Sequence, residues 1–325
     1  MRYAMSRAQT YRRNRRGSFA RLTVPILILI CLHLPASPAR AWDSHTHRLI
    51  TRLAVKVLPP SELKTFFLQN EKVLERFSVE PDSKLKKRYG EAERRRHYID
   101  IDYYGADPFS KLNPSFAATE AKFGAAKVTR WGTLPWTIDE FADRLGAKLH
   151  ARNRRDCTAI LRFSGYLGHY VGDATQPLHA TSHFDGFASD RGVHQRIENA
   201  TDHDVLRLET LAQSASEVRK LDSVWDAAIA ELSHSHALVM TMLEGDRAAR
   251  AQSDGRSESY ERELMKRDGT LIAGQISRAA SMLASIWFYE WDRAGRPPLC
   301  QASPPPTYGG SSTPVPFSET TIPPP

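Results

Sequence analysis

The chain has 325 residues, 45 of them basic and 37 acidic, and 41% are hydrophobic, enough for a sizeable buried core. Its formal charge of +8 points at first to a nucleic-acid footprint, but eight of the arginines fall in the first 41 residues, where there is no acid. Beyond residue 41 the count is 37 basic against 37 acidic residues, which excludes a strongly basic surface for duplex nucleic acid.

Those first 41 residues have the order of a secretory signal. An arginine-rich start precedes an apolar run from Leu22 to Leu34 and the small-residue ending Pro38-Ala39-Arg40-Ala41. The run is short and broken by Pro25, so it is read as cleaved behind Ala41 rather than kept as an anchor. Arg12-Arg13 and Arg15-Arg16 are a weak twin-arginine feature. The expected destination is secreted or periplasmic, with Trp42 as the first residue of the mature protein. Cleavage removes Cys31 and leaves Cys157 and Cys300. Two readings of Cys157 stay open: a disulfide with Cys300 in an oxidising compartment, or a small buried hydrophobe. Residues 42–296 are expected to form one domain. Residues 297–325 hold half of the 20 prolines and read as a disordered tail.

Within the domain the apolar period is helical. Leu49, Ile50, Leu53, Ala54 and Val57 form one stripe that ends at Pro59-Pro60, and Ser61 is placed to cap a second helix through Leu63, Phe66, Phe67 and Leu68. The polar, basic stretch between Asp82 and His97 reads as loop. Thr137 precedes a stripe of Ile138, Phe141, Leu145 and Leu149, and residues 159–171, 193–211, 218–242 and 257–291 supply further helices. Strand-like alternation is hard to find, so the expected fold class is all-α, a multi-helix bundle.

The chemistry lies in histidines and carboxylates at matched spacings. His169 and Asp173 are four apart on a helix and share a face, so both can grip one metal ion. Pro177 ends that helix and turns the chain, which frees His179 for a second ion. His194 and Glu198 repeat the four-residue spacing and with His179 make a His, His, carboxylate set that leaves a position open for water. Asp82 and His97 would join His169 and Asp173. A third ion would take the free amine and carbonyl oxygen of Trp42, chelating as a five-membered ring, with His47 and a shared Asp173. His45, His150, His183, His203, His234 and His236 are read as ordinary solvated or satisfied histidines. Asp202, four after Glu198, either extends the site or belongs to a polar face. Asp100 and Asp102 either orient an imidazole or are surface acids.

Taken together these motifs resemble two related groups, the zinc-dependent phospholipases C secreted by bacteria and the single-strand-specific zinc nucleases of fungi and plants. The resemblance rests on Trp42 and His47, Asp82 and His97, His97-Tyr98-Ile99-Asp100, the block from His169 to His179 with Gly172, Gln176 and Pro177, and His194 with Glu198. It implies a mainly helical fold around a trinuclear zinc cleft, with three Zn2+ held by Trp42, His47, Asp82, His97, His169, Asp173, His179, His194 and Glu198. It implies in-line hydrolysis of a phosphodiester, with catalytic roles for Asp82 and Asp173, and a charge-neutralising role for the His179, His194 and Glu198 set at the departing alkoxide. Tyr98 and Asp100 are the candidate substrate-binding residues. The Tyr98 ring either stacks a nucleobase or a cationic headgroup, or is a core aromatic beside a ligand loop. The short step from Trp42 to His47 and the Asp82 to His97 spacing are nuclease-like. Glu198, the fifteen residues from His179 to His194, Pro81 and Ala180 are phospholipase-like. Phospholipase C-type hydrolysis therefore leads, with a single-strand-specific nuclease as the alternative and a non-catalytic zinc-binding protein as the second. The expected partner is the phosphodiester substrate, a phospholipid headgroup or single-stranded nucleic acid, and the expected state is a monomer.

Overall fold

A computed structural model describes residues 42–151, 156–212 and 217–300. Residues 1–41, read as a secretory signal, and residues 301–325, read as tail, lie outside them. Among the described residues there is no strand, and no helix is long and apolar enough to cross a membrane. The α-helices in chain order are α1 Ser44–Val57, α2 Glu62–Gln69, α3 Glu71–Phe77, α4 Lys86–Tyr89, α5 Glu91–Arg94, α6 Phe116–Phe123, α7 Ala125–Arg130, α8 Leu134–His150, α9 Cys157–Thr175, α10 Val193–His203, α11 Val205–Ala212, α12 Val224–Ala237, α13 Val239–Gln252 and α14 Ser257–Arg293.

The longest helix, α14, is the spine. It packs against α1, α8, α9, α10, α11 and α13, and α9 packs in turn against α1, α3, α8 and α12. Small residues let α9 lie close to its neighbours. A Cβ at Gly165 would fall 2.4 Å from Phe77 Cβ on α3, and one at Gly168 would fall 2.8 Å from Thr51 Oγ1 on α1. Apolar side chains of both helices, among them Ile50, Leu53, Leu167, Tyr170 and Val171, are buried in the resulting core.

The helix ends expected at Pro59-Pro60 and at Pro177 are where the chain places them, and Ser61 Oγ accepts from the Lys64 amide at 3.2 Å. Five segments differ from the sequence reading. Residues 81–97 are helical rather than loop: a π-helical turn Pro81–Leu85, then α4, α5 and a 3-10 turn Arg95–His97. Ion pairs four apart, Glu80 with Lys84 and Glu91 with Arg95, support these short turns, and Gly90 at φ 59° breaks them. Helix α8 begins at Leu134, four residues before the stripe shows it, because Pro135 in its first turn needs no amide partner there. The stretch 193–211 is two helices, divided at Asp204. Residues 217–222 are not helical but run along α14, where Ser285 Oγ accepts from the Arg219 amide at 2.9 Å and Ser281 donates to the Glu217 carbonyl. Pro297 and Cys300, read as the start of the tail, lie against the domain. The Pro297 carbonyl accepts from Trp291 Nε1, and Cys300 is disulfide-bonded to Cys157 with Cα atoms 6.3 Å apart.

Candidate metal centre

Helix α9 carries the centre of the site near its C-terminal end, so the placement of Asp173 depends on how that end is held. The last carbonyls of a helix lack partners within it. Here Ser235 Oγ donates to the Ala174 carbonyl at 2.7 Å and Gln275 Nε2 to the Thr175 carbonyl at 2.6 Å, tying the end of α9 to α12 and α14. Gln176 Oε1 accepts from the Leu178 amide, which shapes the turn that brings His179 back.

Three groups of side chains converge. His47, Asp82 and His169 form one, His97, His169 and Asp173 the second, and His179, His194 and Glu198 the third, with donor atoms in each lying within 4.8 Å of one another. His169 Nε2 is 3.0 Å from His97 Nδ1, 3.5 Å from Asp173 Oδ2 and 3.6 Å from Asp82 Oδ1. His47 Nε2 is 3.6 Å from Asp173 Oδ1. In the third group His179 Nε2 is 3.0 Å from His194 Nε2 and 3.7 Å from Glu198 Oε1. His179 Nδ1 lies 3.9 Å from Asp173 Oδ1, so the groups adjoin.

The opposite ring nitrogens set the tautomers. His169 Nδ1 donates to the Ser78 carbonyl at 2.8 Å and His179 Nδ1 to the His97 carbonyl at 2.5 Å, which leaves each Nε2 lone pair facing the cluster. His97 is turned the other way. Its Nδ1 faces Asp173 at 3.0 Å, while its Nε2 faces Glu93 Oε1 at 3.3 Å. Glu93 is itself buried, accepts from the Tyr170 hydroxyl and adjoins Arg96.

This donor set fits divalent cations on two observations. Nε2 of His47, Oδ1 of Asp173 and Oε2 of Glu198 are buried without a hydrogen-bond partner. Each such atom costs about 1–3 kcal/mol unless something satisfies it. The charges agree with the geometry. Burial pushes the imidazoles of His47, His97 and His179 down and that of His194 to about 4, so they are neutral and able to donate lone pairs. Burial, reinforced by the charge of Asp82, pushes Asp173 well above the carboxylate range, and burial pushes Glu198 up to about 7. For Asp82 burial works in the same direction, but His169 and the Lys86 ammonium outweigh it and hold the carboxyl low. Buried cations would let all three carboxylates ionise together. Neutral imidazole and carboxylate donors in sets of three are what zinc takes at catalytic sites.

The loops around the cluster are firmly built. Asp190, fully buried, accepts from Arg247 Nε and Nη2 at 2.8 and 2.6 Å, which pins the segment that leads into α10. Gly192 caps α10 at φ 81°, a left-handed conformation that suits glycine, and starts the helix two residues before His194. Asp102 Oδ2 accepts from the Ser182 amide at 2.6 Å and Thr181 Oγ1 at 2.8 Å, so it holds the chain just after His179 rather than an imidazole of the cluster.

The remaining sequence-predicted residues fall as follows. Trp42 is fully buried beside Asp43, the N-cap of α1, five residues before His47. Tyr98 is half-buried. Its hydroxyl donates to the Arg130 carbonyl, and its backbone and ring lie so close to Gly132 that a Cβ there would meet Tyr98 O at 2.1 Å. Asp100 is half-buried, and burial with the charge of Asp102 pushes it up to about 7. Asp202 joins His45 at 2.7 Å instead of extending the cluster. None of the six histidines read as ordinary belongs to the three groups among the described residues. Sequence reasoning missed Glu93, the Ser78 carbonyl and Lys86, whose ammonium pairs with Asp82. Lys86 is four residues after Asp82 within a run of basic residues, so its spacing carried a signal that the composition of the run concealed.

The zinc-dependent phospholipase C family matches residues 46–237. The chain belongs to this family. The matched span contains every histidine and carboxylate of the three groups, from His47 to Glu198. No curated protein matches the chain. This zinc-dependent phospholipase C family member is thus a metal-dependent hydrolase of phosphodiester bonds, and its His, Asp and Glu groups fit zinc binding.

Proposed function

We propose that this protein is an exported phospholipase C that holds three zinc ions and cleaves the bond between phosphate and glycerol in a phospholipid. The observation that carries the substrate class is the match to the zinc-dependent phospholipase C family across every histidine and carboxylate of the three groups. In this reading His47, with the amine and carbonyl oxygen of Trp42 and a shared Asp173, holds one ion. Asp82, His97, His169 and Asp173 hold the second, and His179, His194 and Glu198 the third. Zinc bound there supplies Lewis acidity, polarising the phosphoryl oxygens and making water more acidic.

The chain's own groups do the rest. Asp82, whose side chain is 13% exposed while Asp173 is fully buried, is the more accessible carboxylate of that pair. It accepts the proton of the attacking water as the new O–P bond forms in line with the breaking one. As the new bond forms, the bond to glycerol oxygen breaks, and the alkoxide leaves on the side of His179, His194 and Glu198 and takes up a proton from water there, while Asp82 returns its proton to solvent. The products are a phosphomonoester and diacylglycerol. Tyr98 and Asp100, one and three residues after His97, contact the headgroup. Export is supported by the signal-like first 41 residues and by the Cys157–Cys300 disulfide, a bond that persists in oxidising compartments.

The test is a substrate panel. The zinc-loaded protein beginning at Trp42 is given phosphatidylcholine, single-stranded DNA and RNA, with and without chelator. Phosphocholine release that chelator abolishes is expected. Cleavage of single-stranded nucleic acid without phosphocholine release would replace this reading with the nuclease. A variant keeping one extra residue before Trp42 should lose one zinc and most activity, and an unchanged zinc content would overturn the role of the amine.

A further inference from the structure

The segment between His179 and α10 exposes two phenylalanines at the edge of the metal centre. Phe184 is 46% exposed and Phe187 44%. The Phe184 ring lies 6.0 Å from the His194 imidazole, edge to face, and Phe187 lies 4.7 Å from the His183 ring. This exposure does not come from a slack backbone. Asp185 Oδ1 accepts from the Gly192 amide at 2.7 Å, and Asp190 Oδ2 accepts from the Phe187 amide at 3.0 Å. Asp190 is itself held by Arg247, and turn hydrogen bonds run from the Gly186 amide to His183 and from the Asp190 amide to Phe187. A backbone fixed this firmly keeps two large apolar side chains about half exposed to water, which is unfavourable relative to burial. Single exposed hydrophobics are ordinary on a protein surface, whereas a pair in one anchored loop beside a reactive centre marks a contact surface.

We infer that residues 183–191 are a docking element for the surface of a phospholipid aggregate, with Phe184 and Phe187 entering its apolar layer. The inference rests on the phospholipase reading and deepens it. In that reading the diacylglycerol leaves on the side of His194, the imidazole that Phe184 touches, so the loop meets the substrate where its acyl chains emerge. The chemistry of the loop favours a lipid layer over a nucleobase. Phenylalanine has no polar edge to read a base, and the exposed charge of the segment is limited to Arg191 and the half-buried Asp185. Docking is therefore driven by apolar burial and depends little on salt.

The test uses the zinc-loaded mature protein and vesicles of a phosphonate analogue of phosphatidylcholine. A P–C bond replaces the scissile P–O bond there, so binding is measured without turnover. The wild type is expected to sediment with the vesicles at both low and high salt. Phe184→Ser/Phe187→Ser should lower the partition at least tenfold, and Phe184→Trp/Phe187→Trp should restore it. On true phosphatidylcholine vesicles the serine variant should lose at least tenfold in rate relative to its rate on the small soluble diester bis(p-nitrophenyl) phosphate. Equal partition of wild type and serine variant, or no binding by the wild type, would overturn the inference, as would an equal loss on both substrates. Slower cleavage of single-stranded DNA with vesicle binding unchanged would also overturn it and assign the rings to base stacking. Phenylalanine-dependent binding without phosphocholine release would defeat the phospholipase reading and leave the docking surface standing. Phosphocholine release indifferent to the phenylalanines would do the reverse.

Discussion

His169 belongs to two of the three ligand groups, joining Asp82 and His47 in one and His97 and Asp173 in the other, whereas His194 belongs to one. In the proposed assignment His169 and His194 each serve one ion, whereas Asp173, with Oδ1 3.6 Å from His47 and Oδ2 3.5 Å from His169, is shared by two. Asp173→Ala is therefore expected to lose up to two zinc ions per chain, and His194→Ala one, by elemental analysis of the folded protein. A loss of one ion in both would mean that Asp173 is not shared. At this scale much of the centre was legible. His169 with Asp173 and His194 with Glu198 declare themselves because a four-residue step on a helix puts two donors on one face. The groups that orient them were not legible. The Ser78 carbonyl behind His169 has no side-chain signature, and Glu93 behind His97 is one acid among several in a charged run.

Helix α1 meets α9 where Gly172 faces His47. A Cβ at Gly172 would sit 2.8 Å from His47 Nδ1 and 3.2 Å from Ile50 Cδ1. Helix propensity alone would make Gly172→Ala stabilising by about 1 kcal/mol. Overpacking opposes it by about 1–3 kcal/mol, because the imidazole and the Ile50 methyl must move. The expected result is a lower melting temperature together with loss of the zinc held by His47. A rise in melting temperature with full zinc content would contradict the contact. A second interhelical contact has a pH signature. Glu290 of α14 is buried against Gly146 of α8, and burial, offset in part by Arg293, pushes its carboxyl up to about 7. In the unfolded chain a glutamate titrates near 4.3, so the folded state binds the extra proton and Glu290 costs stability as pH rises through that interval. Glu290→Gln should accordingly raise the melting temperature at pH 8 and change it little at pH 4. An equal shift at both pH values would point to packing instead. Helix ends marked by Pro59-Pro60 and Pro177 were legible, as were the long amphipathic stretches. The short helices of residues 81–97 were not, because charged residues stabilised by pairs four apart have no apolar stripe to display.

Across the whole molecule, the Cys157–Cys300 disulfide joins the start of α9 to the end of the domain, closing 143 residues of chain. A cross-link over so long a loop is expected to contribute roughly 3–5 kcal/mol. Reduction, or Cys157→Ser, should lower the denaturation midpoint by the corresponding amount while leaving zinc content intact. Loss of zinc on reduction would mean that the disulfide reaches the metal centre. The all-α architecture was readable from periodicity and the site from spacing. The pairing of the cysteines was not, since contact between residues 143 apart is a property of the folded bundle. The central claim is that the three clustered groups make a zinc-dependent phosphodiester hydrolase. It is tested most directly by phosphocholine release from phosphatidylcholine by the mature protein as isolated, after chelation, and after zinc is restored. The account predicts turnover, its loss on chelation and its return with zinc. Turnover that persists in metal-free protein, or zinc-loaded protein that hydrolyses no phosphodiester, would contradict it.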